Sequence, residues 1–427
     1  MSQTVNQTLV RVLSWMPMIT AFLIPIHPRF TSLTLALWTV VSLTCFFANL
    51  IARNRDANRL QISFLLKLFG GASLLYFVAI CMGMLWTEEL SEGWFALEVK
   101  FSFFLLPLLF WQLNSLALTH SWKSRSSRAF QAGLLTYLSW RFFEVIWIGD
   151  WSLMRYDGFA GPFHPSYMAL YMLTGILLSS AQDLLGKVVV IFGGLAIGIL
   201  ASKAGWGIGI LVLGIESLRR FKVAQNEARW LLASMLLLIS GAWWADGGRM
   251  QEFQSYLGQG TTAQVSSNDG LQSMNSNTMI NASEAPIVVK TGSTGGRMQA
   301  WNAALQLLQS NPFGVGTGDI TSSLLQIYER DGSLYAKEKN MNPHSIWLQI
   351  GVRLGWLALL GMFLFFIAFM WKAFQVGGFE IAIWTLAVAM NGTVESLFEL
   401  QQGVVAILFF GLLLSSGREV NEEAQIL

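Results

Sequence analysis

Charged residues are scarce in this chain. They make up 12% of its 427 residues, against about 25% in a typical soluble domain. That excludes an ordinary soluble globular protein, and a net charge of +2 is too small to point to nucleic acid. Cysteine is almost absent. Cys45 and Cys81 both fall in apolar stretches and read as small core residues, not as a disulfide or a metal pair. No P-loop, His-Glu-x-x-His or cysteine cluster is present. No Asp-x-Asp motif lies in a segment assigned below to the exterior, so a metal-bound diphosphate site has no support. No small-residue cleavage site follows the first apolar stretch, so no removable signal peptide is expected. No tandem repeat is found.

What the chain has in abundance is apolar surface: 54% hydrophobic residues, 30 Phe and 18 Trp, with a mean hydropathy of +0.50. Apolar runs of about 14–26 residues recur along its length, the mark of an all-α polytopic membrane protein. Twelve spans are expected, at roughly 12–26, 33–51, 64–85, 99–118, 129–148, 165–182, 188–202, 204–218, 230–245, 346–370, 379–394 and 402–416. The chain thus divides into nine spans (1–245), a large polar loop (246–345), and three spans with a tail (346–427).

Cations sort to one side of these spans. Arg53, Arg55, Arg59 and Lys67 lie between the second and third; Lys123, Arg125 and Arg128 follow the fourth. Arg219, Arg220 and Lys222 follow the eighth, and Lys372 the tenth. The positive-inside rule makes this side cytoplasmic, with both termini, and puts the large loop outside together with Glu88, Glu89, Glu92, Asp150 and Asp157. Within that loop, Gly258 to Gly296 is rich in Ser, Thr, Asn, Gln and Gly and is expected to be mobile. Arg297, Trp301, Ala304, Leu305 and Leu308 then share a helical stripe that ends at Asn311-Pro312, and Asp319 is placed to cap a second short helix reaching about Tyr328. Both helices are expected to lie on the outer surface of the bundle.

Several exterior residues could carry chemistry. In Asn342-Pro343-His344-Ser345 the asparagine suits an N-cap and the proline a first helical position. His344 would then sit in the first turn of the tenth span, where the helix dipole favours the neutral imidazole that a general base needs. The plainer reading is a histidine satisfied by a carbonyl at a wet interface. Lys203 lies between two apolar segments of about 14 residues, only about 21 Å of helix each, so it is expected at the floor of a pit. The alternative is a snorkelling lysine. Gly193, Gly194, Gly198, Gly205, Gly207 and Gly209 would let this hairpin pack closely. Arg297 is either a solvated loop arginine or, with Lys100, Arg155 and His164, part of a set of cations around one cavity suited to an anionic substrate such as a diphosphate. Arg141 and Glu144, spaced i,i+3, read as a structural pair. Glu395 and Glu399 read as a wetted turn or as sugar ligands, with the turn preferred.

Four segments carry a family resemblance: Ser202-Lys203-Ala204-Gly205, Gly296-Arg297-Met298-Gln299-Ala300-Trp301, Asn311-Pro312-Phe313-Gly314-Val315-Gly316, and Asn342-Pro343-His344-Ser345-Ile346-Trp347-Leu348-Gln349 through Gly355. The last two spans, with Glu395, Gln401, Gln402 and Gly403, fit as well. In their order and shared face, these segments resemble the O-antigen ligase and O-antigen polymerase superfamily of bacterial envelope glycosyltransferases. The resemblance implies a GT-C-like membrane fold in the inner membrane with the large loop in the periplasm. It implies a glycan donor on undecaprenyl diphosphate, a lipid A–core acceptor for a ligase, and membrane lipids around the chain. It implies no cofactor. Lys203 stands where many members carry arginine, Arg297 matches the loop arginine and His344 the loop-closing histidine; Lys100 and Arg155 match further phosphate-side cations. Transfer would be metal-independent and inverting, with His344 as base. A polymerase that extends the lipid-linked glycan shares these motifs. A lipid-linked sugar transporter would instead need midplane charges and inverted halves.

Overall fold

The structure is a computed structural model that describes residues 3–51, 62–115, 121–180, 183–246 and 293–416. Arg53, Arg55 and Arg59, the polar stretch from Gly258 up to residue 292, and the C-terminal tail lie outside the described residues. Those that are described form helices and connecting turns, with no strand among them. In chain order these are α1 (Gln3–Leu23), α2 (Pro28–Ile51), α3 (Phe64–Gly83), α4 (Leu90–Lys100), α5 (Ser102–Ser115), α6 (Ser121–Ile148) and the short α7 (Tyr156–Ala160). Next come α8 (Pro165–Leu177), α9 (Leu184–Ile199), α10 (Lys203–Phe221) and α11 (Gln225–Ala245). The loop contributes α12 (Ser293–Ser310), α13 (Ile320–Arg330) and α14 (Leu334–Glu338), and the chain returns through α15 (Ile346–Gln375), α16 (Phe379–Val394) and α17 (Gln401–Ser415).

Each of the twelve apolar segments coincides with a helix, α4 and α5 together making the fourth. Five stretches are long and apolar enough to cross a membrane: Pro28–Leu50, Phe64–Trp86, Leu90–Ser115, Gln225–Ala245 and Ile346–Gln375. Thr8–Leu23, α9, α16 and α17 are shorter apolar helices. The chain is a multi-pass membrane protein. Its core is aromatic-rich, with Trp38, Phe110 and Phe409 fully buried against one another.

Backbone contact explains the glycines of α9. A Cβ on Gly194 would strike the Ser234 carbonyl, and one on Gly198 the Leu238 carbonyl, so only glycine lets α9 and α11 meet at this distance. The second helix of the α9–α10 hairpin is longer than the sequence suggests. At 19 residues, α10 is about 28 Å long, because Arg219 and Arg220 do not end the helix. Both pair instead with Glu216, which is fully buried one turn earlier, and extend to Glu380 and Glu227 at 2.7 Å each. Lys203 is half-buried at the first position of α10.

The loop helices fold back onto α15. Ala300, Ala303, Ala304 and Leu307 of α12 are buried with Ile320, Leu324 and Tyr328 of α13 and with Val352 of α15. Of the expected stripe, Ala304 and Leu308 are fully buried while Leu305 is exposed, so the buried face is turned partly away from the one expected. α15 breaks at Gly355, whose φ of 82° suits glycine. The break frees backbone groups that the loop satisfies: Val315 N–H donates to Val352 O (2.8 Å), Gly316 N–H to Arg353 O (3.2 Å), and Trp356 N–H to Pro312 O (3.0 Å). The Asn311–Gly316 motif is thus a backbone splint on a broken helix. Asp319 stands at the N-cap of α13 but, contrary to expectation, its side chain does not cap the helix. Its carboxylate accepts from the Glu88 and Glu89 N–H groups, 2.7–3.2 Å away, at the entrance to α4.

Candidate functional site

Two neighbouring carboxylates organise the loop end of the bundle. The first, Glu395, follows α16 and is 4% exposed. Its Oε1 accepts from Arg297 Nη2 (2.7 Å) and Ser166 Oγ (3.2 Å), and lies 4.0 Å from His164 Nδ1. Its Oε2 lies 3.7 Å from His344 Nδ1. Burial acts to raise the Glu395 carboxyl, but its contact with His344 and the charges of His164 and Arg297 outweigh that and hold it below the usual carboxylate range. Two of the chain's four histidines converge here.

Each partner is positioned by its own local structure. His164 caps α8, its Nδ1 accepting from Ser166 N–H (3.4 Å), with Pro165 in the first turn. Burial lowers the His164 pKa, partly opposed by Glu395. Ser166 Oγ lies 3.1 Å from Ser202 Oγ, and Ser202 caps α10 through Gly205 N–H (3.2 Å). This chain of hydroxyls links Glu395 to the turn that carries Lys203. Arg297 rides on the first turns of α12, where α12 packs against α15.

His344 departs from its expected place. The N-cap of α15 is Ser345, and His344 precedes it in a left-handed conformation, with φ of 44°. Asn342 does not cap the helix: its Oδ1 accepts from His344 N–H (2.8 Å) and Ser396 Oγ (3.3 Å), a short side-chain turn that holds the histidine. The helix dipole therefore cannot supply the argument made for a neutral imidazole; Glu395 is the group that faces it. Ser345 N–H donates to Ser396 Oγ (3.1 Å), locking this turn to the residue after Glu395.

The second carboxylate, Glu399, accepts both terminal nitrogens of Arg353 at 2.9 Å and Lys100 Nζ at 3.1 Å. Arg353 and Lys100 side chains are 3% and 1% exposed. These cations hold the Glu399 carboxyl down at about 2 against burial, which acts to raise it. Lys100 therefore belongs to this second cluster rather than to the Glu395 group. Arg155 is exposed, with its guanidinium 4.5 Å over the Trp244 ring at the end of α11. Arg141 and Glu144 form the expected pair, and Arg141 also donates to the Gly158 carbonyl. The expectation of a wetted turn does not hold for Glu395, which is buried and ion-paired, and Glu399 is half-buried with both of its cations sealed. A wide apolar groove of about 590 Å³ lies between α3, α15 and α16 and has no charged side chain in its walls, so it takes no part in the charge chemistry.

Of the residues singled out in the sequence, His344, Arg297 and His164 meet at Glu395, which the sequence offered only as a wetted turn or a sugar ligand; Arg353 was not singled out. A carboxylate immediately after an apolar helix was the available signal for Glu395. Arg353 sits mid-span, where a buried charge needs a partner, and Glu399 was in view.

Residues 184–363 match a family model described as O-antigen ligase. The matched stretch takes in Lys203, Arg297, His344, Arg353 and the splinted break at Gly355; it leaves out Lys100, Arg155, His164, Glu395 and Glu399. The match bears out the resemblance to the O-antigen ligase and polymerase superfamily. No curated protein matches the chain.

Proposed function

With an O-antigen ligase-type domain as the premise, we propose that this chain transfers a glycan from undecaprenyl diphosphate to a sugar hydroxyl of a lipid A–core acceptor. The reaction takes place at the periplasmic face of the bacterial inner membrane. In this reading all twelve apolar helices cross the bilayer, both termini are cytoplasmic, and the loop from 246 to 345 is periplasmic. The observation that carries the proposal is the convergence of His344, Arg297 and His164 on buried Glu395, one hydroxyl relay away from the Lys203 turn.

The geometry suits an inverting displacement. With Nδ1 of His344 turned to Glu395, its Nε2 is the nitrogen left to take the proton of the attacking hydroxyl. The carboxylate orients the imidazole and stabilises its charged form after proton transfer. The acceptor oxygen forms a bond to the anomeric carbon as the bond to the diphosphate oxygen breaks, and the electron pair leaves with the diphosphate. Lys203 and Arg297 stabilise that growing charge, with Arg155 at the rim. The reaction is proposed to need no metal.

The test is turnover by the purified full-length protein with undecaprenyl diphosphate-linked glycan, EDTA, and lipid A–core present or absent. Product that requires the core acceptor, and a fall of about 10²-fold or more in His344→Ala with donor binding retained, supports the proposal. Elongated lipid-linked glycan without core would make the enzyme a polymerase. Near wild-type turnover in His344→Ala would sink the base assignment. Lys203→Arg is expected to keep part of the activity and Lys203→Ala to lose it.

A further inference from the structure

Beside the Glu395 cluster lies a polar pocket of about 230 Å³ between α4, α13, the 340–342 turn and α15. Drug-sized ligands occupy about 300–1,000 Å³, so this space holds about one sugar ring. Its floor is the Lys100–Glu399–Arg353 triad; Gln349 and Asn342 form one wall, and Glu92, Thr321 and Asn340 lie at the rim. Gln349 is 4% exposed, and its Oε1 is buried with no hydrogen-bond partner. A buried acceptor without a donor is costly, and a hydroxyl bound against Gln349 would supply one.

The charges select among ligands. The two cations of the floor face Glu399 and, at the rim, Glu92, so the formal charges of the set cancel. The donors of Arg353 that reach Glu399 are already engaged. A diphosphate therefore finds its countercharge at Arg297 and Lys203, not here. A neutral polyol, which both gives and takes hydrogen bonds, matches Gln349, Glu399, the asparagine amides and the remaining Lys100 donors. Asn342 joins the pocket to the reaction site, because the same side chain that lines the pocket holds His344 N–H.

We propose that this pocket is a subsite for one neutral pyranose ring adjacent to the reacting sugar, held by Gln349 and the Lys100–Glu399–Arg353 floor. The proposal rests on the glycosyl-transfer reading and adds a residue-level determinant of which glycan is accepted.

The experiment uses the full-length protein in detergent and saturation-transfer NMR with methyl α-glucoside, methyl α-galactoside and methyl N-acetyl-β-glucosaminide as probes. Wild type and His344→Ala are expected to transfer saturation to the ring protons of at least one probe. Gln349→Leu, and Thr321→Trp, which fills the pocket from its exposed rim, are expected to lose that transfer. In turnover assays Gln349→Leu is expected to raise one KM about tenfold with kcat little changed. A raised KM for lipid A–core assigns the ring to the acceptor; a raised KM for the lipid-linked glycan assigns it to the donor. Probe signals that persist in both pocket variants overturn the proposal. So does a wild type that turns over lipid-linked glycan but binds none of the three probes. Unchanged KM values for both substrates in Gln349→Leu would do the same. A wild type without any turnover defeats the transferase reading alone, since probe binding is read independently of it.

Discussion

Glu395 and Glu399 stand one helical turn apart in sequence and serve opposite ends. Around Glu395 the partners are half-open to solvent: Arg297, His344 and His164 side chains are 31%, 27% and 33% exposed. They come from three separate segments, the first turns of α12 and the entries to α8 and α15, and approach singly, at 2.7–4.0 Å. Around Glu399 the partners are sealed, and Arg353 grips it with two nitrogens. An exposed ion pair contributes little to stability, whereas a sealed one cannot lose a member without stranding charge. The first arrangement leaves groups free to meet a substrate. The second fixes α4, α15 and the α16–α17 connection to one another.

Glu399→Gln breaks the comparison at its stronger side and should have the largest effect. It leaves Lys100 and Arg353 buried without a countercharge, a defect worth about 3–5 kcal/mol. The expected outcome is a steep fall in the thermal midpoint of the detergent-purified protein, or failure to accumulate in the membrane. A midpoint within a degree of wild type would mean that water reaches this cluster as freely as it does the other.

Glu395→Gln should do the reverse. The amide retains hydrogen bonding to Ser166, and the partners of Glu395 can turn to solvent, so the folded protein should survive with a modest loss of stability. Turnover should drop about 10²-fold or more, because the imidazole loses the carboxylate that orients it and that stabilises the charge formed on proton transfer. Wild-type turnover in this variant would reduce Glu395 to a structural residue.

This contrast was only half legible in the sequence. Apolar runs placed the apolar helices because hydrophobic length is a local property. The residues of the Glu395 cluster were also visible, since cations and histidines stand out against a background with 12% charge. Their pairing was not. His344 and Glu395 are 51 residues apart, and Ser166 and Glu395 229 apart; only packing brings them together. Two local readings failed for local reasons. Asn342 looks like an N-cap, but its oxygen is used one residue earlier in the helix entry, by the backbone of His344. Arg219 and Arg220 look like a helix end until Glu216 is seen to neutralise them. The loop motif from Asn311 to Gly316 could be recognised as a pattern, yet its work as a splint depends on a break in a different helix.

The smallest expected effect separates the two clusters by pH. Burial keeps the His164 pKa below its ordinary value of 6.5, with Glu395 opposing and Arg297 and His344 reinforcing the shift. The unfolded chain therefore binds a proton at this residue before the folded chain does, and native stability falls as pH drops below about 6.5. The depressed carboxyls act oppositely: Glu395 and Glu399 stay ionised across this range, and their contribution is lost only at more acidic pH. His164→Asn removes the titrating group while leaving a side-chain oxygen to cap Ser166 N–H. Between pH 7 and 5.5 its thermal midpoint should fall less than that of wild type, by on the order of 1–2 °C. An identical acid slope in the two proteins would show that His164 takes up its proton as freely in the fold as in the unfolded chain. The cluster at Glu395 would then be wetter than its burial implies.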